Sequence, residues 1–139
     1  MATLGKGSLK TLQGLHPNLV KVITEAIKDT PVDFTCTDGV RTTAEQQALY
    51  AKGRTKAGGI VTKVDGVIKK SNHQIKADGF GHAVDLYPYV DGRVDFNDDG
   101  EHLTAIATHI KATARRLGIK IGWGGDWKGS WDKPHFELL

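Results

Sequence analysis

The chain has 139 residues, 39% hydrophobic and 25% charged, with a formal net charge of +3, a pI near 9.0 and a mean hydropathy of −0.34. That length suits one domain with its own core, and without a long basic run nothing demands nucleic acid as a partner. One cysteine, Cys36, excludes a disulfide framework within the chain, and no apolar run is long enough to insert into a membrane.

The first residues, Met1-Ala2-Thr3-Leu4-Gly5-Lys6, lack the apolar stretch of a signal peptide. Residues 1–15 are small, polar and Gly-containing, which predicts a loosely held arm. Pro17 opens a helix through Asp29, with Leu19, Val20, Ile23, Ala26 and Ile27 as its apolar stripe. Residues 33–37 read as a strand and Asp38-Gly39 as a turn. Cys36, inside that strand, reads as a small buried hydrophobe. Thr42 and Thr43 each precede Glu45 or Gln46 by three residues, so two overlapping capping boxes start a helix over 43–52. Asp65-Gly66 predicts a hairpin between strands at 60–64 and 67–69. A core strand follows at 83–89, then a turn at Asp91-Gly92. The longest helix spans 101–117, with Leu103, Ile106, Ile110, Ala114 and Leu117 on one side and Gly118 closing it. Strands at 119–123 and 135–138 finish the chain. Helices and antiparallel hairpins come in blocks, which predicts an α+β fold: a small antiparallel sheet with flanking helices.

Two segments far apart in sequence carry metal-ligand chemistry. One runs Ser71-Asn72-His73, then Gly81-His82-Ala83-Val84-Asp85; the other is Trp131-Asp132-Lys133-Pro134-His135-Phe136-Glu137. Each sets histidine and aspartate at the edge of a predicted strand. Zinc accepts imidazole nitrogen and carboxylate oxygen, and its catalytic sites keep one position open beside the protein ligands. A further stretch, Asp95-Phe96-Asn97-Asp98-Asp99-Gly100, matches the opening of an EF-hand loop. Its twelfth position is Ile106 rather than Glu, which excludes a full EF-hand. A partial Ca²⁺ site and an acidic N-cap for the next helix both remain open.

From Gly39 to Leu139 the sequence resembles the LAS group of peptidoglycan peptidases, which holds VanY-like D-alanyl-D-alanine carboxypeptidases and phage L-alanyl-D-glutamate endopeptidases. The pattern Ser-x-His, Gly-x-Ala-x-Asp and Asp-x-x-His is met in order by Ser71–His73, Gly81–Asp85 and Asp132–His135, and Trp123-Gly124-Gly125-Asp126-Trp127 looks like the segment before the last motif. The resemblance implies a LAS-type metallopeptidase fold and one Zn²⁺ held by His73, Asp85 and His135. It implies Asp132 as the catalytic acid/base and Arg41 as the group facing the substrate carbonyl or a carboxylate. Gln46 falls where the carboxypeptidases carry a glutamine, with Thr42 in place of their serine, and Trp131 is the expected rim of the substrate site. Seven residues, Gln74 to Phe80, separate His73 from Gly81 where the family pattern has two. His82 is therefore a rival ligand, but in a strand it would face away from Asp85, which favours His73. His82 or Glu137 would then orient a ligand from behind.

The expectation is a single catalytic domain over residues 1–139. It acts as a zinc-dependent endopeptidase cutting the L-alanyl-D-glutamate bond of the stem peptide, a monomeric phage-type endolysin. Lacking a signal peptide, it would be made in the host cytoplasm and reach the periplasmic wall after release through the membrane. A D-alanyl-D-alanine carboxypeptidase with the same zinc site is the first alternative. The second is a non-catalytic zinc-containing wall-binding module, which Asp132 argues against. A cysteine hydrolase built on Cys36 is the third.

Overall fold

The computed structural model describes residues 2–55, 58, 60, 62, 65–67, 71–98, 100–129 and 132–139. Two amphipathic helices cover one face of an antiparallel sheet. Helix α2 (Pro17–Lys28) begins where Pro17 needs no N–H partner, and His16 Nδ1 accepts the free N–H of Asn18 at 3.0 Å. Its buried positions are Leu19, Val22, Ile23, Ala26 and Ile27. Val22 joins the stripe fully buried, and the expected Val20 packs against the same core partly buried. Helix α4 (Glu101–Leu117) packs on α2 through Leu103, Ile106, Ala107, Ile110 and Ala114. It ends in a left-handed Gly118 (φ 73°), with Ile119 N–H returning to Ala114 O at 2.9 Å. That closure uses residues expected to begin the following strand.

The strands are β1 (Phe34–Asp38), β2 (Ala83–Val90), β3 (Arg93–Val94), β4 (Ile121–Trp123) and β5 (His135–Leu138), in the order β1-β2-β5-β4, with β3 folded back on β2. All of these pairings are antiparallel. The β2–β3 hairpin turns through Asp91 (φ 53°) and Gly92 (φ 78°), the two positive φ angles of a type I′ turn. Along β2 the side chains alternate: Val84, Leu86 and Pro88 are buried. Val84 and Leu86 join Phe34, Cys36 and Phe136 in the core shared with α2 and α4. Asp85 and Tyr87 therefore stand on the other face, and the functional chemistry gathers there.

Of the segment expected to be a loose arm, residues 6–15 are held against the core. Lys6–Thr11 form a helix, α1, too short to persist alone, whose hold comes from docking. Ser8 is buried and its Oγ accepts the Cys36 N–H at 3.0 Å, and Leu12 and Leu15 enter the core. A Cβ on Gly39 would lie 2.2 Å from Thr11 O, so only glycine admits this contact. Composition hid the segment because its apolar residues are few and its anchors are single atoms.

Helix α3 (Thr43–Ala51) opens with one capping box, not two. Thr42 Oγ1 accepts Glu45 N–H at 3.1 Å and Glu45 Oε1 accepts Thr42 N–H at 2.9 Å. Gln46, the other predicted box member, is fully buried and turns elsewhere. The strands expected at 60–64 and 67–69 fall largely outside the described residues. Gly66 (φ +89°) packs on the Gln46 side chain.

Candidate metal centre

β2 and β5 pair so that Asp85 stands directly opposite His135, and Val84 opposite Phe136 on the core side. His73 arrives from a tight turn. Ser71 Oγ accepts its N–H at 3.2 Å, Gln74 Oε1 accepts the Ser71 N–H at 2.8 Å, and the His73 carbonyl accepts the Arg41 N–H at 2.8 Å. These bonds hold a 3% exposed imidazole against the sheet.

Each ring has one nitrogen engaged. His73 Nδ1 lies 2.9 Å from the Gly39 carbonyl, and His135 Nε2 lies 2.7 Å from Glu137 Oε1. Both partners only accept, so those nitrogens carry the protons. His73 Nε2 and His135 Nδ1 are left facing inward, 3.2 Å apart, each 3.3 Å from Asp85 Oδ1. Asp85 Oδ1 is buried and receives no well-directed hydrogen bond. His73 Nε2, His135 Nδ1 and Asp85 Oδ1 thus form a nearly equilateral triangle of potential ligand atoms. Tetrahedral zinc with bonds of roughly 2.0–2.1 Å sets its ligand atoms about 3.3–3.4 Å apart, so the donor set and its spacing fit that ion.

The electrostatics agree. Burial alone would raise the Asp85 carboxyl, yet His135 and His73 beside it hold it well below the usual carboxylate range. Burial would lower His135, but the carboxylates of Asp85 and Glu137 push it up to about 9. Without a metal the pocket draws a proton, and proton and metal compete for the same lone pair.

Asp132 Oδ2 lies 3.8 Å from His135 Nδ1. Burial, then the charge of Asp85, raises its carboxyl, the direction a general acid/base requires. Its backbone touches the 3-10 turn Gly124–Asp126, where a Cβ on Gly124 would meet Asp132 O at 2.0 Å. Arg41 is a largely buried cation. One guanidinium nitrogen donates to Gln46 Oε1 at 2.7 Å and another to Asp38 Oδ2 at 2.5 Å. Gln46 also donates to Thr62 Oγ1 at 3.3 Å. Its described contacts therefore brace Arg41 and the neighbouring loop from inside the protein. Trp131 lies outside the described residues. Trp127 packs on the His135 ring with centroids 5.0 Å apart, while Trp123 is in the core, stacked on Phe136 at 6.3 Å.

His82 stands apart from the triangle. It precedes β2, and its Nε2 lies 2.7 Å from Asp78 Oδ2, with the His16 ring edge-on at 5.3 Å. Asp78 Oδ1 also accepts the Phe80 N–H, and Lys76 N–H reaches Phe80 O. The extra residues between His73 and Gly81 are thus tied down by their own turn. In the EF-hand-like stretch, Asp95, Asp98 and His102 approach one another, but Asp98 accepts the N–H groups of Gly100, His102 and Leu103 and so caps α4.

Three contributors escaped the sequence reading. Asp38 grips Arg41, and its turn-like context hid that. The Gly39 carbonyl selects the His73 tautomer, and no side chain announces a carbonyl. Tyr87, two residues after Asp85 on the same face, has its phenol raised first by burial and then by Asp85, Asp132 and Asp38. Strand alternation alone could have found it.

Residues 1–138 match the family model for phage L-alanyl-D-glutamate peptidase. The L-alanyl-D-glutamate peptidase of Escherichia phage T5 is 34% identical over 146 aligned positions, covering 97% of this chain and 96% of that protein. The peptidoglycan L-alanyl-D-glutamate endopeptidase CwlK of Bacillus subtilis (strain 168) is 35% identical over 129 positions, covering 90% of this chain and 74% of that one. The crystal structure of the Serratia marcescens L-Ala D-Glu endopeptidase ChiX superposes with a TM-score of 0.70 at 28% identity, over 96% of this chain and 87% of that one.

Proposed function

The chain belongs to the phage L-alanyl-D-glutamate peptidase family, and from that premise we propose a zinc-dependent endopeptidase that hydrolyses the L-alanyl-D-glutamate bond of peptidoglycan stem peptides. The observation that carries the metal reading is the triangle of His73 Nε2, Asp85 Oδ1 and His135 Nδ1, with edges of 3.2–3.3 Å around a buried oxygen that lacks a hydrogen bond. Zinc held there supplies Lewis-acid polarisation of the scissile carbonyl and makes a water acidic near neutral pH.

The chain's own groups do the rest. Asp132, its carboxyl raised by burial and by Asp85, takes a proton from the attacking water and returns it to the leaving amine of D-glutamate. Arg41, fixed by Asp38 and Gln46, holds its positive charge ready for the developing oxyanion or a stem-peptide carboxylate. Gln46 serves the substrate through Arg41. Trp131 is the proposed rim. Residues 1–139 act as one catalytic domain and as a monomer. The biological role is that of an endolysin made in the host cytoplasm and released to the wall. That role is supported by end-to-end similarity to the phage T5 peptidase. Among the described residues no helix is long and apolar enough to cross a membrane.

The test is digestion of purified peptidoglycan with zinc and with chelator, read by mass spectrometry. New N-terminal D-glutamate appearing only with metal is expected. Release of free D-alanine would move the reading to a carboxypeptidase, and no metal-dependent product would overturn it.

A further inference from the structure

His73 and His135 face the triangle with different nitrogens, Nε2 from one and Nδ1 from the other. A carbonyl explains the first choice. The second is made by a carboxylate on the same strand: His135 and Glu137 are two residues apart on β5 and share a face, and the ring's far nitrogen reaches Glu137 Oε1 at 2.7 Å. That contact spends Nε2 and turns Nδ1 inward.

Glu137 is itself held. Its second oxygen, Oε2, accepts the Asn72 side-chain amide at 2.9 Å. Asn72 is anchored in turn, because its carbonyl accepts the His82 N–H at 2.7 Å, and His82 O accepts the Leu138 N–H at 2.8 Å. Asn72 also adjoins His73 in the chain. A single chain of hydrogen bonds, Asn72 to Glu137 to His135, therefore links the turn that delivers one imidazole to the strand that delivers the other. They are 62 residues apart in sequence. Both Glu137 oxygens are used and neither bond goes to the triangle, so its role is exerted through His135.

We infer that Glu137, braced by Asn72, is a positioning residue: it keeps the His135 proton on Nε2, aims Nδ1 at the metal and ties the two ligand-bearing segments into one rigid site. The inference rests on the zinc reading above. Carboxylate or carbonyl partners behind metal-bound histidines raise ligand basicity and fix ring orientation, and losing one costs about 10–100-fold in metal affinity or activity.

The test is zinc affinity, measured by competition with a chromophoric chelator, on the full chain and on Glu137→Ala, Glu137→Gln and Asn72→Ala. Thermal melts of the metal-free proteins report the fold. Glu137→Ala is expected to bind zinc about 10–100-fold more weakly. Glu137→Gln keeps an acceptor oxygen without the charge and should recover part of that loss. Asn72→Ala should show a smaller loss. Peptidase activity in Glu137→Gln should return when zinc is raised, which a merely damaged fold would not allow. Wild-type zinc affinity in both Glu137→Gln and Asn72→Ala would overturn the inference while leaving the metal reading intact. A wild-type chain that binds no zinc would overturn both.

Discussion

Asp85 and His135 sit face to face across β2 and β5, and their reactive atoms, Oδ1 and Nδ1, are 3.3 Å apart. The same register sets Val84 against Phe136, both fully buried. A slip of one residue would send Phe136 to the open face and His135 into the helices. The hydrophobic core thus fixes the alignment of the two ligand strands, and the site inherits its geometry from packing already required for folding.

Metal removal should therefore be felt in both activity and stability. Zinc at about a hundredfold above its Kd stabilises the folded state by about 2.7 kcal/mol, a Tm rise of roughly 9 °C for a chain of this size. Calorimetry with zinc and with chelator measures it. Asp85→Ala should abolish the rise, since the oxygen shared by both imidazoles is gone. Equal melting temperatures with and without zinc in the wild type would remove the metal from the account.

Asp132 should separate binding from chemistry. It lies 3.8 Å from His135 and outside the triangle. Asp132→Ala is expected to keep zinc bound with near-normal affinity and to lower kcat by about 10²–10⁴-fold. The check pairs zinc titration with turnover of purified peptidoglycan. Wall digestion at the wild-type rate would show that another group moves the proton.

The sequence carried those parts of the fold that local rules govern. The stripes of α2 and α4, the capping box at Thr42, the turn at Asp91-Gly92 and the closing Gly118 each follow from neighbours a few residues away. Non-local pairing was another matter. Nothing in the strand sequences says that β5 inserts between β2 and β4, because antiparallel pairing depends on partners about fifty residues apart. Helix α1 escaped for a related reason: its stability lies in contacts with β1 and Gly39 rather than in its own residues. At the site, the resemblance to the LAS peptidases singled out His73, Asp85, Asp132 and His135, and the fold brings them together. The Gly39 carbonyl and the Asn72–Glu137 bond had no local signal, since one is main chain and the other joins segments that only folding makes adjacent.

Cys36 should be silent in catalysis and in reactivity. It belongs to the core on the helix side of the sheet, away from Asp85. Burial pushes its thiol up to about 12, offset only in part by the Ser8 hydroxyl, so almost no thiolate exists at neutral pH. A maleimide should label the denatured chain and leave the native one unmodified, and Cys36→Ala should retain peptidase activity. A raised folded-state pKa also fixes the sign of the linkage. The unfolded thiol releases its proton near 9, the folded one near 12. Its contribution is therefore complete below pH 9 and is lost as pH climbs towards 12. Removing the thiol should flatten that part of the stability profile. Rapid labelling of the native protein at pH 7 would contradict the burial argument.

Gly124 offers the sharpest test of how the acid/base is held. A methyl there would lie 2.0 Å from Asp132 O and 2.8 Å from its carbonyl carbon. Backbone cannot swing aside as a side chain can, so Gly124→Ala must displace Asp132 itself. Overpacking of this kind costs about 1–3 kcal/mol, and a shift of about 1 Å in a catalytic group can cost on the order of 10²-fold in rate. Gly124→Ala should therefore lose most of its activity, and because Asp132 O also accepts the His135 N–H at 3.1 Å, its zinc affinity should fall as well. Gly5→Ala is the matched control: nothing lies within 4 Å of the added methyl, and turnover should be unchanged. A fully active Gly124→Ala would mean that Asp132 tolerates displacement, and a residue that tolerates displacement is not the one moving the proton.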